Sequence, residues 1–309
     1  AAAFAARVAA FSDADFARVP KNYPGIEDLP GPWIKLANQN RYVNVLPNPH
    51  SRVNLELAHG DSAAGYINAN FVRGFDGAPK AYIATQGPMT TTTQDFWQMV
   101  WEQGVTVIIM LTGLQENGVR KCERYWPASS GTDAAVAYGD FEIVTVSSED
   151  VGAYMHSVLR LRHVREGSMT GGAPRTVHHF WYNTWPDHGA PEDVAGVTAM
   201  WRDVRARSAP ASSAFSAAAA VAAEQRPPWV VHCSAGIGRT GTFIAVDMGA
   251  RQLAASGDAD VLDLVHRMRE DRGGMVQTPV QADFAHRALL SIADDLNTAG
   301  GREGGGGTG

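Results

Sequence analysis

The chain has 309 residues, of which 45% are hydrophobic and 19% charged, with a formal net charge of −6. This is the profile of a globular protein with a sizeable core. The negative balance excludes any general attraction to nucleic acid or anionic lipid, so an anion site must be a local cluster of donors. Two cysteines, Cys122 and Cys233, exclude a disulfide framework and a cysteine-rich zinc site.

In chain order, Phe4, Val8, Phe11 and Phe16 recur at roughly helical spacing among alanines and predict helix over the first 20 residues. Pro24, Pro30, Gly31 and Pro32 then interrupt the chain. Residues 82–85 predict a short strand, 93–103 an amphipathic helix with Phe96, Met99 and Val100 inward, and 105–111 a buried strand. Residues 141–146 and 157–164 alternate as antiparallel strands do. Residues 177–181 predict a strand that runs into Trp185-Pro186-Asp187-His188-Gly189, and 191–207 predict a helix. Residues 208–228, rich in Ala, Ser and Pro, predict a surface insertion. Residues 229–232 predict a short buried strand, followed by a loop and a helix from Thr240. The Gly-rich tail, 298–309, is expected to be disordered, leaving 1–297 as one domain. No run reaches the ~18 apolar residues of a membrane helix, and no signal segment is visible. Cysteine usage fits a reducing compartment. With no initial Met, the chain reads as cytoplasmic, or as the cytoplasmic domain of a larger protein that is itself membrane-anchored.

The chemistry concentrates in Val230-Val231-His232-Cys233-Ser234-Ala235-Gly236-Ile237-Gly238-Arg239-Thr240-Gly241-Thr242-Phe243. A loop between a buried strand and a helix can turn successive backbone N–H groups toward one point at the positive helix end. Gly236 and Gly238 permit the positive φ that such a cradle often requires. Arg239 adds a planar fork that matches two phosphate oxygens. A cradle for a dianion also favours a thiolate over a thiol, which makes Cys233 the candidate nucleophile. An acid must protonate the leaving oxygen. The candidate is Asp187, on a loop hinged by Pro186 and Gly189 and anchored by Trp185, able to close over substrate. Taken alone, an Asp there reads more readily as a turn former. His178-His179 reads as a strand feature, and the chemistry calls on no metal or cofactor.

The segment from His232 to Gly241 resembles the signature loop of the protein tyrosine phosphatase family. The phosphotyrosine-specific branch is resembled by Asn40-Arg41-Tyr42, Tyr66-Ile67-Asn68-Ala69-Asn70, Thr85-Gln86-Gly87-Pro88 and Asp95-Phe96-Trp97. Lys121-Cys122-Glu123-Arg124-Tyr125-Trp126-Pro127, the Trp185 loop and Gln277-Thr278-Pro279-Val280-Gln281 continue the series in family order. The resemblance implies an α/β fold: a highly twisted mixed sheet, parallel in the centre and antiparallel at its edges, with helices on both sides. It implies dephosphorylation of phosphotyrosine-containing proteins through a phosphocysteine at Cys233, with Asp187 as acid and then base. By the same resemblance, Ser234, Ala235, Gly236, Ile237, Gly238 and Arg239 hold the phosphoryl group. The Thr240 hydroxyl bonds the thiolate as it leaves, and Gln281 and Gln277 position the water. Tyr42 stacks on the substrate ring and Asn44 contacts the peptide backbone. Lys121 contacts the closed acid loop or the substrate, and Glu116 orients Arg239. His232 supports the loop, Arg269 and Arg272 brace it, and Cys122 is a packed, inert thiol. Gln39, Gly65 and Ala282 depart from the family pattern without touching this chemistry. Three other readings fit less well: an inactive phosphotyrosine-binding module, a dual-specificity or phosphoinositide phosphatase, and a redox protein.

Overall fold

A computed structural model describes residues 2–22, 37–56, 65–131, 135–164, 173–186, 189–208 and 226–303. Asp187, His188 and residues 209–225, most of the expected insertion, lie outside the described residues.

Nine strands form one mixed sheet among the described residues. In spatial order they are β1 (Arg52–Asn54), β2 (Tyr66–Val72), β3 (Tyr82–Thr85), β11 (Trp229–His232), β4 (Val107–Met110), β10 (Arg175–Trp181), β9 (Met155–His163), β8 (Phe141–Asp150) and β7 (Val136–Tyr138). A separate short hairpin pairs β5 (Gln115–Glu116) with β6 (Val119–Arg120). The central strands β3, β11, β4 and β10 are mutually parallel, and every outer pairing is antiparallel.

The central strands read as unbroken apolar runs because both of their faces are covered. Successive side chains point to opposite faces. Val107, Ile109, Leu111 and Val231 therefore enter one core layer, and Ile108, Met110 and Val230 the other. The first layer is closed by α4 (Ala195–Ser208), α5 (Gly238–Ser256), α6 (Val261–Asp271) and α7 (Pro279–Glu303), with α1 (Ala2–Ala10) and α2 (Asp13–Ala17) contributing Phe4 and Phe16. The second is closed by α3 (Thr93–Glu102) through Phe96, Trp97, Met99 and Val100.

Several boundaries differ from the sequence expectation. Helix α5 begins at Gly238 rather than Thr240, and α4 at Ala195 rather than residue 191. Strand β8 runs on to Asp150 through an exposed polar half that pairs with β9. Helix α7 is assigned through Glu303, into the tail expected to be disordered from 298. Extending a formed helix adds a hydrogen bond for each residue fixed, whereas nucleation is the costly step. No described helix is long and apolar enough to cross a membrane.

Parallel strands bring their carboxyl ends to one edge of the sheet, where open α/β sheets hold their ligands. The segments leaving that edge are Gln86-Gly87 after β3, the Cys233 loop after β11, Leu111-Thr112 after β4 and the Trp185 loop after β10.

Candidate active site

Cys233 follows β11 directly and is 5% exposed. Its Sγ accepts the Gly236 N–H at 3.3 Å. Gly236 has φ +73°, and a Cβ there would stand 2.1 Å from the Thr85 carbonyl oxygen, so only glycine fits the turn.

Arg272 fixes the orientation of this loop. It is fully buried and donates through Nε to the Gly236 carbonyl at 2.9 Å and through Nη2 to the Ala235 carbonyl at 3.1 Å. A trans peptide places C=O and the following N–H on opposite sides. Carbonyls drawn outward by Arg272 therefore turn the N–H groups of Gly236 and Ile237 to the opposite side, where that of Gly236 meets the sulfur. Arg272 is itself aimed by Asn70 Oδ1 at 2.7 Å and Asn68 Oδ1 at 2.8 Å. Burial lowers its pKa to about 10, which leaves it charged at neutral pH.

Arg239, in the first turn of α5, forms a two-pronged ion pair: Nη1 and Nη2 reach the two Glu116 carboxylate oxygens at 2.6 Å each. Nη1 also donates to the Leu111 carbonyl at 3.1 Å. Glu116 accepts the Thr112 hydroxyl at 2.8 Å and the Gly113 N–H at 3.0 Å as well. Burial works against its charged form, but these donors outweigh it and hold the carboxyl below its ordinary value.

The Ser234 hydroxyl donates to the Lys121 carbonyl at 2.9 Å. Its single proton is thereby used, so Tyr42 OH donates to Ser234 Oγ, also at 2.9 Å. Tyr42 is thus tied to the cradle as a wall. The segment that carries it is anchored to the end of β3 by Gln86, which accepts the Arg41 N–H at 2.8 Å and donates to the Gln39 carbonyl at 2.9 Å. Asn44 is exposed in the turn after Tyr42, and Lys121 is half-buried.

His232 is fully buried, and burial lowers its pKa to about 4. Its Nδ1 lies 3.0 Å from the Cys233 carbonyl, which only accepts, so the neutral ring carries its proton on Nδ1. Nε2 then accepts from Tyr125 OH at 2.7 Å, and Tyr125 in turn accepts from His179 Nε2 at 2.8 Å.

Gln277 and Gln281 lie over Gly238. A Cβ at that glycine would come within 2.3 Å of Gln277 Oε1 and 3.0 Å of Gln281 Nε2. The Gln277 N–H donates to Gln281 Oε1 at 2.8 Å. Trp185 is buried against Tyr182 and Phe284, and its Nε1 donates to the Gly189 carbonyl at 3.1 Å, closing the stem of its loop. Cys122 is buried with its thiol on the Glu123 carbonyl at 3.2 Å, and burial pushes its pKa up.

Two expected residues stand differently from the rest. Among the described residues Thr240 Oγ1 is buried and has no hydrogen-bond partner, and the donor seen on the sulfur is the Gly236 N–H. Arg269 is seen to donate to the carbonyls of Met275, Val276, Val19 and Pro20 rather than to those of the loop 233–238; it meets the loop at one remove, through Val276, whose N–H donates to the Ile237 carbonyl. Sequence reasoning quoted Asn68, Asn70 and Tyr125 within motifs without giving them roles. The signal available for the two asparagines was their i, i+2 spacing, which puts two amides on one face of a buried strand.

The fold and this arrangement define a class: an α/β protein in which a glycine-containing loop, at the carboxyl edge of a mixed sheet, wraps a buried cysteine. Residues 37–291 match the family model of the protein-tyrosine phosphatases. The chain is 42% identical over 282 residues to tyrosine-protein phosphatase non-receptor type 7 of Rattus norvegicus, covering 91% of this chain and 71% of that protein. It is 41% identical over 284 residues to receptor-type tyrosine-protein phosphatase R of Homo sapiens, covering 92% of this chain and 39% of that one. Tyrosine-protein phosphatase non-receptor type 5 of Mus musculus is 38% identical over 287 residues, with shares of 92% and 48%. The chain belongs to the protein-tyrosine phosphatase family.

Proposed function

We propose that the chain hydrolyses phosphotyrosine in proteins by two displacements at phosphorus, with Cys233 as nucleophile and Asp187 as proton donor and then acceptor. In the first step the sulfur electron pair forms the S–P bond as the P–O bond to tyrosine breaks. The Asp187 proton passes to the tyrosyl oxygen. In the second, a water oxygen attacks phosphorus, the S–P bond breaks back to the thiolate and Asp187 takes the water's proton. Gln277 and Gln281 orient that water, and Arg239 with the N–H groups of 234–239 stabilises the charge spread over the phosphoryl oxygens. Tyr42 makes the cleft deep enough to prefer a phosphorylated ring. The mechanism draws on no metal or cofactor.

One observation carries this reading. Arg272 holds the Gly236 carbonyl while the Gly236 N–H meets Sγ, and Glu116 holds Arg239 on both prongs, which supports a loop arranged for sulfur and phosphoryl together. The test is turnover of p-nitrophenyl phosphate and a phosphotyrosyl peptide in the presence of a chelator. The wild-type chain is expected to turn over both, and Cys233→Ser to lose turnover while keeping phosphopeptide binding. An inactive wild type, or an active serine variant, would refute the reading. Asp187→Ala is expected to cut kcat by ~10²–10⁴-fold with affinity preserved; a near-normal rate would place the acid elsewhere.

A further inference from the structure

Val276 has a conformation that its side chain disfavours. It is a fully buried, β-branched residue with φ +57°, in the left-handed region that such side chains rarely adopt. Strain of this kind persists only where the surroundings over-determine it, and it clusters at functional sites.

Here the surroundings act from three sides. The Val276 N–H donates to the Ile237 carbonyl of the phosphate loop at 3.1 Å. Arg269 grips both neighbouring carbonyls, Nε on Met275 at 2.9 Å and Nη2 on Val276 at 2.7 Å. Behind the turn stands Gly241 of α5, where a Cβ would lie 2.5 Å from the Val276 nitrogen. Arg269 is itself immobilised. It is 4% exposed, donates through Nη1 to Val19 at 2.8 Å and Pro20 at 3.2 Å, and stacks 4.8 Å from the Phe16 ring. The next residue in the chain is Gln277, whose N–H holds Gln281 and whose side chain lies over Gly238. Relaxation of φ at 276 to a negative value would swing this whole unit.

We propose that Val276 is a positioning residue: the strained turn, clamped by Arg269, aims Gln277 and Gln281 for the water step. This rests on the phosphocysteine reading above. The turn bonds the phosphate loop only at the outward Ile237 carbonyl, and Gln281 reaches the acid loop only at its stem, the Gly189 carbonyl at 3.4 Å, so its effect falls chiefly on breakdown of the phosphoenzyme rather than on its formation. The clamp and the strain are separable. Glycine adopts positive φ without penalty, so a glycine at 276 holds the turn even when Arg269 no longer does.

The experiment is rapid-quench kinetics of the full chain with p-nitrophenyl phosphate, with phosphoenzyme trapped by acid and the unfolding midpoint of each variant recorded. Arg269→Gln is expected to show an unchanged burst rate and a steady-state rate lowered by about 10-fold or more, with phosphoenzyme accumulating. Combining Arg269→Gln with Val276→Gly should restore steady-state turnover to within about 3-fold of wild type. Equal slowing of both phases, no slowing, or a double variant no faster than the single one would overturn the proposal. If Arg269→Gln does not fold, Val276→Asn and Val276→Ala take its place. Asparagine tolerates the left-handed conformation and should keep the breakdown rate, whereas alanine should lower it; equal rates overturn the proposal. Absence of phosphoenzyme from the wild type and every variant would overturn the phosphocysteine reading as well. Phosphoenzyme that forms normally but responds to none of these changes defeats the Val276 proposal alone.

Discussion

Arg239 and Arg272 share a head group and serve the loop in opposite ways. Arg239, which meets the phosphoryl group in the mechanism proposed above, is held by a carboxylate, Glu116, at 2.6 Å on both prongs. Arg272 has no carboxylate partner among the described residues and donates to neutral oxygens: two side-chain amides and two loop carbonyls. Glu116→Gln keeps the shape and removes the charge that holds Arg239. It should lower kcat/KM by up to about 100-fold, the scale of a misplaced catalytic group, with little change in the unfolding midpoint. A parallel loss of stability would assign Glu116 to the fold instead. Arg272→Leu leaves two buried amide oxygens and two loop carbonyls without a donor. It should cost ~3–5 kcal/mol by urea unfolding, the scale for breaking a buried charged network; a loss under 1 kcal/mol would contradict the bracing role. The family resemblance gives Arg272 as a brace, but its asparagine partners cannot be read in the sequence, because Asn68 and Asn70 lie about 200 residues from it and meet it only through the fold. The Cys233 loop is readable because its glycines, arginine and cysteine are contiguous.

At the scale of elements, legibility followed burial. Strand β11 occupies the four residues expected of it, and α3 buries the Phe96, Met99 and Val100 face that its spacing predicts. Both are set by apolar pattern alone. Strands β1, β5, β6 and β7 span two or three residues each at edges or in a hairpin, too short for any periodicity to show. The exposed half of β8 has no inward face to mark it. The same contrast predicts where substitutions matter. Ile109→Ala, in fully buried β4, should cost ~2–5 kcal/mol. Val136→Ala, exposed on edge strand β7, should stay within about 0.5 kcal/mol. Urea unfolding of the two variants side by side checks the ordering, and similar losses would mean that the edge is covered in solution.

Across the whole molecule, the buried histidines make stability depend on acidity. Burial lowers His232 and His156 to about 4 and holds His179 well below the ordinary 6.5. Below pH ~6.5 the unfolded chain takes up protons that the folded chain refuses. Stability is therefore complete above that pH and falls as pH drops toward 4, by ~1.4 kcal/mol per pH unit for each such histidine. Asp95 runs the other way. Burial raises it from 3.8 to about 6, so in that window the folded chain holds a proton that the unfolded one does not, offsetting one histidine. The denaturation midpoint should decline between pH 7 and pH 5, and more steeply in Asp95→Asn; a flat profile would show that these rings are not neutral and enclosed. The position of β11 has a further outcome, for synthesis. It fills the slot between β3 and β4, which precede it far upstream. A ribosome stopped short of residue 229 leaves two strand margins facing each other with their peptide groups unpaired, a template for clumping. Cys233 follows that strand directly, so a chain stopped before 229 lacks both the piece that seals the slot and the cysteine at its end.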